Sequence, residues 1–105
     1  MNQSKIGRGT TPTIRVAFDT VSVFDITDAY LTLQQGSTII EKVFDDSNVE
    51  NNYVEWTLTQ EETLKFTSNT INPIRIQCRW KTSEIVGQTD IYEVYAAEIL
   101  KGGVI

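Results

Sequence analysis

The sequence predicts an all-β domain, mainly antiparallel, folded as a β-sandwich of six or seven strands with one short helix at about residues 60–66. Three observations support this fold class. Apolar and polar side chains alternate without a break over residues 74–81. Further short alternating runs are separated by polar turns, and a helix-capping signal stands between two of them.

The run at residues 74–81 is typical of a half-buried strand, because successive side chains of a strand point to opposite faces of its sheet. We expect the apolar set to face the core and the polar set to face solvent. The core-facing residues are Ile74, Ile76, Cys78 and Trp80, and the solvent-facing residues are Arg75, Gln77, Arg79 and Lys81.

The other predicted strands are shorter and are separated by turn-forming residues. Gly36 lies in the turn at residues 35–37 and predicts a hairpin between the strands on either side. Ile39 and Ile40 are adjacent, so the inward face of the second of these strands stays undecided. The predicted strands in chain order are 13–18, 29–34, 38–44, 53–58, 74–81 and 89–100, with connections at 19–28 and 82–88.

The sequence predicts a flexible N-terminal arm at residues 1–12, a single sandwich domain at 13–100 and a short tail at 101–105. The arm is polar and rich in Gly and Thr, a composition that favours turns and extended segments over packed elements. Within the domain, Ile99 is out of phase with the alternation of the final strand, which predicts a bulge near Ala97.

The predicted helix begins with a capping box. The Thr59 hydroxyl is expected to accept from the backbone N–H of Glu62, while the Glu62 carboxylate accepts from the N–H of Thr59. The helix at 60–66 should bury Leu64 and Phe66. Acidic residues in a first turn suit the positive end of the helix dipole, so the pair Glu61 and Glu62 is interpreted as capping and not as a catalytic pair.

Large aromatic side chains mark the predicted centre of the core. Trp56 and Trp80 lie at inward positions of two different strands. Cys78 is the single cysteine, so it can form no internal disulfide, and its inward position predicts a buried structural thiol. The cysteine pair of immunoglobulin domains is therefore absent.

Composition and charge exclude several classes of partner. A formal net charge of −5 and a pI near 4.6 repel a phosphate backbone, so no nucleic-acid partner is expected. The sequence contains no apolar stretch long enough to span a bilayer and no signal peptide, so no membrane partner is expected and the cytoplasm is the expected location. The basic stripe of Arg75, Arg79 and Lys81 has two interpretations: a solvated face paired with neighbouring carboxylates, or a surface for an anion or acidic partner.

The sequence predicts no enzyme, no cofactor, and no catalytic, cofactor-binding or metal residue. Histidine is absent, which removes the usual general base and the commonest transition-metal ligand. The segment 7–10 lacks the lysine of a phosphate-binding loop. In the acidic loop at 45–52, Asp46, Asn48 and Glu50 alternate as in a calcium loop, but the required later Gly and Glu are missing. A solvated hairpin tip is the preferred interpretation of that loop.

Two motifs carry a resemblance to a known family: IGRGTTPTIRVAF at residues 6–18 and VEWTLTQEETLKF at 54–66, followed in order by IRIQCRWK and a last strand ending in AAEIL. Together they resemble small structural proteins of prophages and tailed phages of low-GC Gram-positive bacteria, found among tail and baseplate genes. The match extends over about residues 6–100. It implies an immunoglobulin-like sandwich used in virion or tail assembly, with no catalytic residues to carry over.

Two hypotheses for function follow. The leading one is a non-enzymatic phage or prophage structural module of the tail or baseplate, which contacts other tail or baseplate proteins or itself. It would be made in the bacterial cytoplasm and then enter the virion. The alternative is a ligand-binding sandwich that recognises a carbohydrate or a host surface, with stacking surfaces from Tyr30, Tyr53, Tyr92 and Tyr95.

Overall fold

A computed structural model describes residues 5–19, 21–44, 46–48, 52–68, 71–99 and 101–105, and for 46–48 it describes the backbone alone. About half of the described residues lie in strands. The strands are β1 (Lys5–Gly7), β2 (Thr13–Ala17), β3 (Asp28–Gln35), β4 (Thr38–Val43), β5 (Asp46–Asn48), β6 (Tyr53–Thr57), β7 (Ile74–Lys81), β8 (Val86–Gln88) and β9 (Tyr92–Ala97). The α-helix α1 is Gln60–Leu64, and a 3-10 turn spans Val23–Asp25.

The strands form two sheets. The larger has the order β1-β9-β7-β3-β4, with β8 added on β7, and the smaller has the order β2-β6-β5. All of these pairs are antiparallel except β1 on β9, which is parallel. The predicted all-β, mainly antiparallel, sandwich-like fold is therefore confirmed.

The alternation of strand β7 is confirmed. Ile74 and Cys78 are fully buried, whereas Arg75, Arg79 and Lys81 are exposed. The same pattern holds in the hairpin of β3 and β4, where the structure resolves the undecided face. Ile40 is buried and Ile39 is exposed. Gly36 begins the two-residue loop of this hairpin with φ +58°, as the first position of a type II′ turn requires.

The core fills the space between the sheets. From the smaller sheet, Trp56 and its neighbours on alternate positions are fully buried, and the middle of the larger sheet meets them with leucines. Trp80 is only half-buried and contacts Phe18 edge to face, with ring centroids 5.4 Å apart. The fully buried side chains of the two layers include Val54, Trp56 and Leu58 on one side and Leu31, Leu33 and Ile74 on the other.

The capping box of helix α1 is confirmed. The Glu62 N–H donates to the Thr59 hydroxyl over 3.1 Å, and the Thr59 N–H donates to the Glu62 carboxylate over 2.9 Å. The helix is shorter than expected, because it ends at Leu64. Leu64 is half-buried, whereas Thr63 and Phe66 are buried, so the expectation of a buried Leu64 is corrected.

Three short strands lie outside the sequence predictions. Residues 5–7 belong to the expected flexible arm but form β1 on the edge strand β9, whereas residues 1–4 lie outside the described residues. Residues 46–48 and 86–88 were expected in connections but form β5 and β8. A three-residue strand is too short for alternation to reveal it, since it is held by backbone hydrogen bonds that carry no sequence signal.

The final strand is also shorter than expected, because β9 is Tyr92–Ala97 and not 89–100. The expected bulge near Ala97 is wrong for the described residues. Strand β9 ends at Ala97, so Ile99 lies outside the strand and need not follow its alternation. Leu100 lies outside the described residues.

Candidate interaction surfaces

The smaller sheet is too narrow to cover the larger one. Three strands face a sheet of six, and strand β2 forms one border of the smaller layer. Beside β2 the two layers are separated by a cleft of about 390 Å³. The cleft is lined by residues 14–17 of β2 together with Leu31, Ile76, Cys78, Thr89 and Tyr92.

At this border the backbone of β2 has hydrogen-bonding groups that no described residue uses. The Phe18 N–H donates to the Asn52 carbonyl over 3.0 Å, and the Leu58 N–H donates to the Pro12 carbonyl over 2.9 Å. In an antiparallel ladder such bonded pairs recur at every second residue. Even-numbered residues of β2 therefore bond to β6, and the N–H and C=O groups of Thr13, Arg15 and Ala17 point to the free edge.

The outer face of β2 is polar and neutral in sum. The Arg15 guanidinium lies 3.0 Å from the Glu55 carboxylate and 5.0 Å from the centroid of the Tyr53 ring. The Thr13 and Thr57 hydroxyls are 3.0 Å apart. These cross-strand contacts hold β2 on β6, and they leave its other edge open to a further strand.

A second surface is the outer face of the larger sheet. A shallow groove of about 370 Å³ crosses it. Lys81 lies 3.5 Å from Asp28 there, and Arg75 is the register partner of Glu93 on β9. Two of the three cations of the basic stripe therefore have carboxylates beside them, which favours the interpretation of the stripe as a solvated face. The groove is lined by Asp28, Tyr30, Thr32, Glu41, Arg79 and Lys81, with Trp80 and Val86.

The four tyrosines of the ligand hypothesis do not form one surface. Tyr30 is 41% exposed and lines the groove on the outer face, whereas Tyr92 is 62% exposed and lies at the interlayer cleft. Tyr53 contacts Arg15 on the smaller sheet, and Tyr95 is half-buried on β9. Tyr30 alone of the four lines the groove.

The carboxylates and the thiol have structural surroundings. Partial burial disfavours the charge of Glu62, but hydrogen bonds from the Thr59 N–H and from the Lys42 ammonium outweigh it and hold the pKa of this carboxyl below its usual value. Burial raises the pKa of the Cys78 thiol to about 11, so this thiol stays protonated at neutral pH.

The calcium interpretation of the acidic loop depends on Asp46, Asn48 and Glu50, whose side chains lie outside what the structure describes. Among the side chains that are described, no three His, Cys, Asp or Glu residues are grouped as a metal site would require. In the same part of the chain, no helix has the length and apolar character needed to cross a bilayer.

Sequence reasoning missed two polar side chains that organise the ends of the sandwich. Asn52 has φ +56°, accepts from the Val23 N–H and donates to the Phe18 and Val21 carbonyls. Gln35 is buried, accepts from the Thr67 N–H and donates to the Thr67 and Asn72 carbonyls, both within the α1–β7 connection. Asn tolerates the left-handed region, which was the one available signal for Asn52.

No protein-family model and no curated protein matches this sequence. Function is therefore inferred from the two surfaces described above and from the resemblance carried by the sequence motifs.

Proposed function

We propose that this chain is a non-enzymatic structural or assembly module that acts through protein–protein contacts. The observation that carries the proposal is the free edge of β2 beside an open apolar cleft. An exposed edge offers unpaired N–H and C=O groups, and an extended partner segment satisfies them by adding a strand to the sheet.

The cleft gives such a contact a source of free energy besides hydrogen bonds. Ile14 and Val16 are only half-buried although they lie on the inner face of β2, and Tyr92 across the cleft is largely exposed. A strand laid along β2 would place alternate side chains over these residues and remove their apolar surface from water. Backbone bonds would provide affinity, and the cleft would select the partner's side chains.

The setting we propose for these contacts is the tail or baseplate of a phage or prophage. Support comes from the motifs at residues 6–18 and 54–66 and from the order of the motifs that follow them. On this proposal the chain is made in the bacterial cytoplasm and then enters the virion, and its partners are other tail or baseplate proteins or further copies of itself.

Co-expression with the proteins encoded on either side of this gene tests the proposal. We expect a neighbouring tail or baseplate protein, or the chain itself, to co-purify with the tagged parent chain. The variant Ala17→Pro removes an outward N–H at the β2 edge, and Ala17→Val retains it, so the complex should be weakened only by proline. Neighbouring genes of metabolism or secretion, with no complex and no self-association, would contradict the proposal.

A second candidate function is recognition of a carbohydrate in the groove of the larger sheet. The favouring observation is that Tyr30 is partly exposed there between Thr32, Glu41 and Arg79, which combines an aromatic face with hydrogen-bonding groups. A glycan array with the parent chain and Tyr30→Ala tests it. Binding that the variant loses would support this function, and an array without binding would exclude it for the glycans tested.

A further inference from the structure

We propose that the partner strand at the β2 edge is β2 of a second copy of this chain, in an antiparallel two-fold pair centred on Arg15. The two three-stranded sheets then join into one sheet across the dimer. This inference rests on the proposed function and specifies the partner within it. Three features support it: the outward N–H and C=O groups of alternate β2 residues, the charge balance of the side chains at this edge, and the shape of the cleft beside it.

The alternation of backbone hydrogen-bonding groups along β2 makes this edge complementary to the same edge of a second copy. Thr13, Arg15 and Ala17 all direct their N–H and C=O groups outward, and an antiparallel bonded pair needs outward groups on both residues. Centring the two-fold axis on Arg15 places Thr13 opposite the partner's Ala17, and each such pair exchanges two bonds. The pairing therefore uses every outward group of the strand, with about six new hydrogen bonds.

Charge selects the β2 edge over the opposite border of the molecule. Two copies of a chain with net charge −5 repel each other, so a shared surface has to be locally neutral. At β2 the proposed register places the two Arg15 side chains opposite each other, but each keeps its own Glu55 at 3.0 Å, so the surface is neutral in sum, and Thr13 and Ala17 are uncharged. Along the β4 edge, by contrast, Glu41 lies mid-strand and the Val43 carbonyl already accepts the Trp56 indole N–H.

The cleft explains what the second copy would cover. In the proposed register Ile14 faces the partner's Val16 on the inner side of the joined sheet. The added strand then lies beside β2, over the part of the larger sheet that the smaller sheet leaves open. There it covers Ile76 and Tyr92 of the first copy, and by symmetry its own cleft is covered in the same way. The contact is closed, so it stops at a dimer.

Sedimentation velocity over a wide concentration range tests the dimer. We expect the parent chain to pass from monomer to dimer as the concentration rises. Ala17→Pro removes an outward N–H without touching the bonds to β6, so its dissociation constant should rise about tenfold or more. The matched control Ala17→Val keeps the N–H and should dimerise as the parent chain does.

A second variant and a measurement of folding distinguish loss of the dimer from loss of the fold. Ala17→Lys places an exposed charge on the outer face of the edge and should also weaken the dimer, and the near-ultraviolet circular dichroism of both tryptophans reports whether each variant is folded. A parent chain that stays monomeric, or a dimer that persists in folded Ala17→Pro and Ala17→Lys, would overturn the inference. A monomeric parent whose complex with a neighbouring tail protein still depends on the outward Ala17 N–H would overturn the homodimer and leave the proposed function standing.

Discussion

The indole N–H of Trp56 donates a 2.6 Å hydrogen bond to the backbone carbonyl of Val43. Trp56 is fully buried on β6 of the smaller sheet, and Val43 ends strand β4 at the border of the larger one. The bond satisfies the one polar atom of the largest core side chain and also occupies a carbonyl of an edge strand. It therefore fixes the relative position of the two layers on the side opposite the β2 cleft.

Replacing Trp56 is expected to destabilise the fold more than replacing Trp80. Trp56→Phe removes buried volume and leaves the Val43 carbonyl without its indole donor, at a cost of about 2–4 kcal/mol. Trp80→Phe removes part of a half-buried ring, and among the described residues the Trp80 indole makes no hydrogen bond, so its cost should be smaller. Urea unfolding of both variants measures the difference. Equal costs would contradict the assignment of Trp56 as the link between layers.

A side chain at position 87 is expected to destabilise the fold, because Gly87 faces Trp80 across the β7–β8 pair. A Cβ built on Gly87 would lie 2.3 Å from a ring carbon of Trp80, so the ring or strand β8 must shift. Gly87→Ala should cost about 1–3 kcal/mol in unfolding free energy.

The matched control for Gly87 is Gly102→Ala, where an added Cβ meets no atom within 4 Å. Introducing Trp80→Leu into the Gly87→Ala background should recover part of the loss, since the smaller side chain makes room. A double-mutant cycle with no coupling between positions 80 and 87 would show that the close approach does not limit stability.

Asn52 is expected to contribute to stability through both its backbone and its side chain. Asn52→Gly keeps the left-handed conformation but deletes the side-chain bonds to Val23, Phe18 and Val21, at a cost of about 2–3 kcal/mol. Asn52→Ala should cost about 1 kcal/mol more, because a Cβ is strained in that region. Thermal unfolding of the two variants measures this order, and an alanine variant as stable as the glycine variant would contradict it.

Stability should depend on pH through Glu62. The pKa of this carboxyl is lowered in the fold from its ordinary value of 4.5, so the folded state favours the carboxylate. Its contribution is therefore present above about pH 4.5 and is lost as the pH falls through the folded-state pKa. The unfolding free energies of the parent and of Glu62→Gln should converge as the solution is acidified.

The control for this pH dependence is Glu61→Gln, which removes one charge from the same helical turn at an exposed position. A pH profile that changes in the same way in both variants would show that the net charge of the helix, and not the hydrogen bonds from Thr59 and Lys42, sets the effect.

Features with a repeated or local signal could be predicted from the sequence. Strand β7 alternates over eight residues, and the capping box of Thr59 and Glu62 is a contact between residues three positions apart. Features set by distant partners could not. The parallel addition of β1 to β9, the cross-strand approach of Gly87 to Trp80 and the buried amide of Gln35 depend on which segments meet after folding.

The cleft and the free edge belong to this second kind. The sequence predicts strand 13–18 with Ile14 and Val16 inward, but it contains no signal for the strand's place at the border of a sheet. The order of strands in a sheet depends on how all the strands pair with one another. The alternation within one strand therefore does not identify its neighbours.

Amide hydrogen exchange at β2 tests the central claim that this edge pairs with another strand. In dilute monomer we expect the amides of Thr13, Arg15 and Ala17 to exchange fast, and those of Ile14 and Val16, which bond to β6, to exchange slowly. In concentrated or assembled protein the first three should become slow as well. Outward amides that stay fast in the assembled state would contradict the account, and so would outward amides already protected in the monomer.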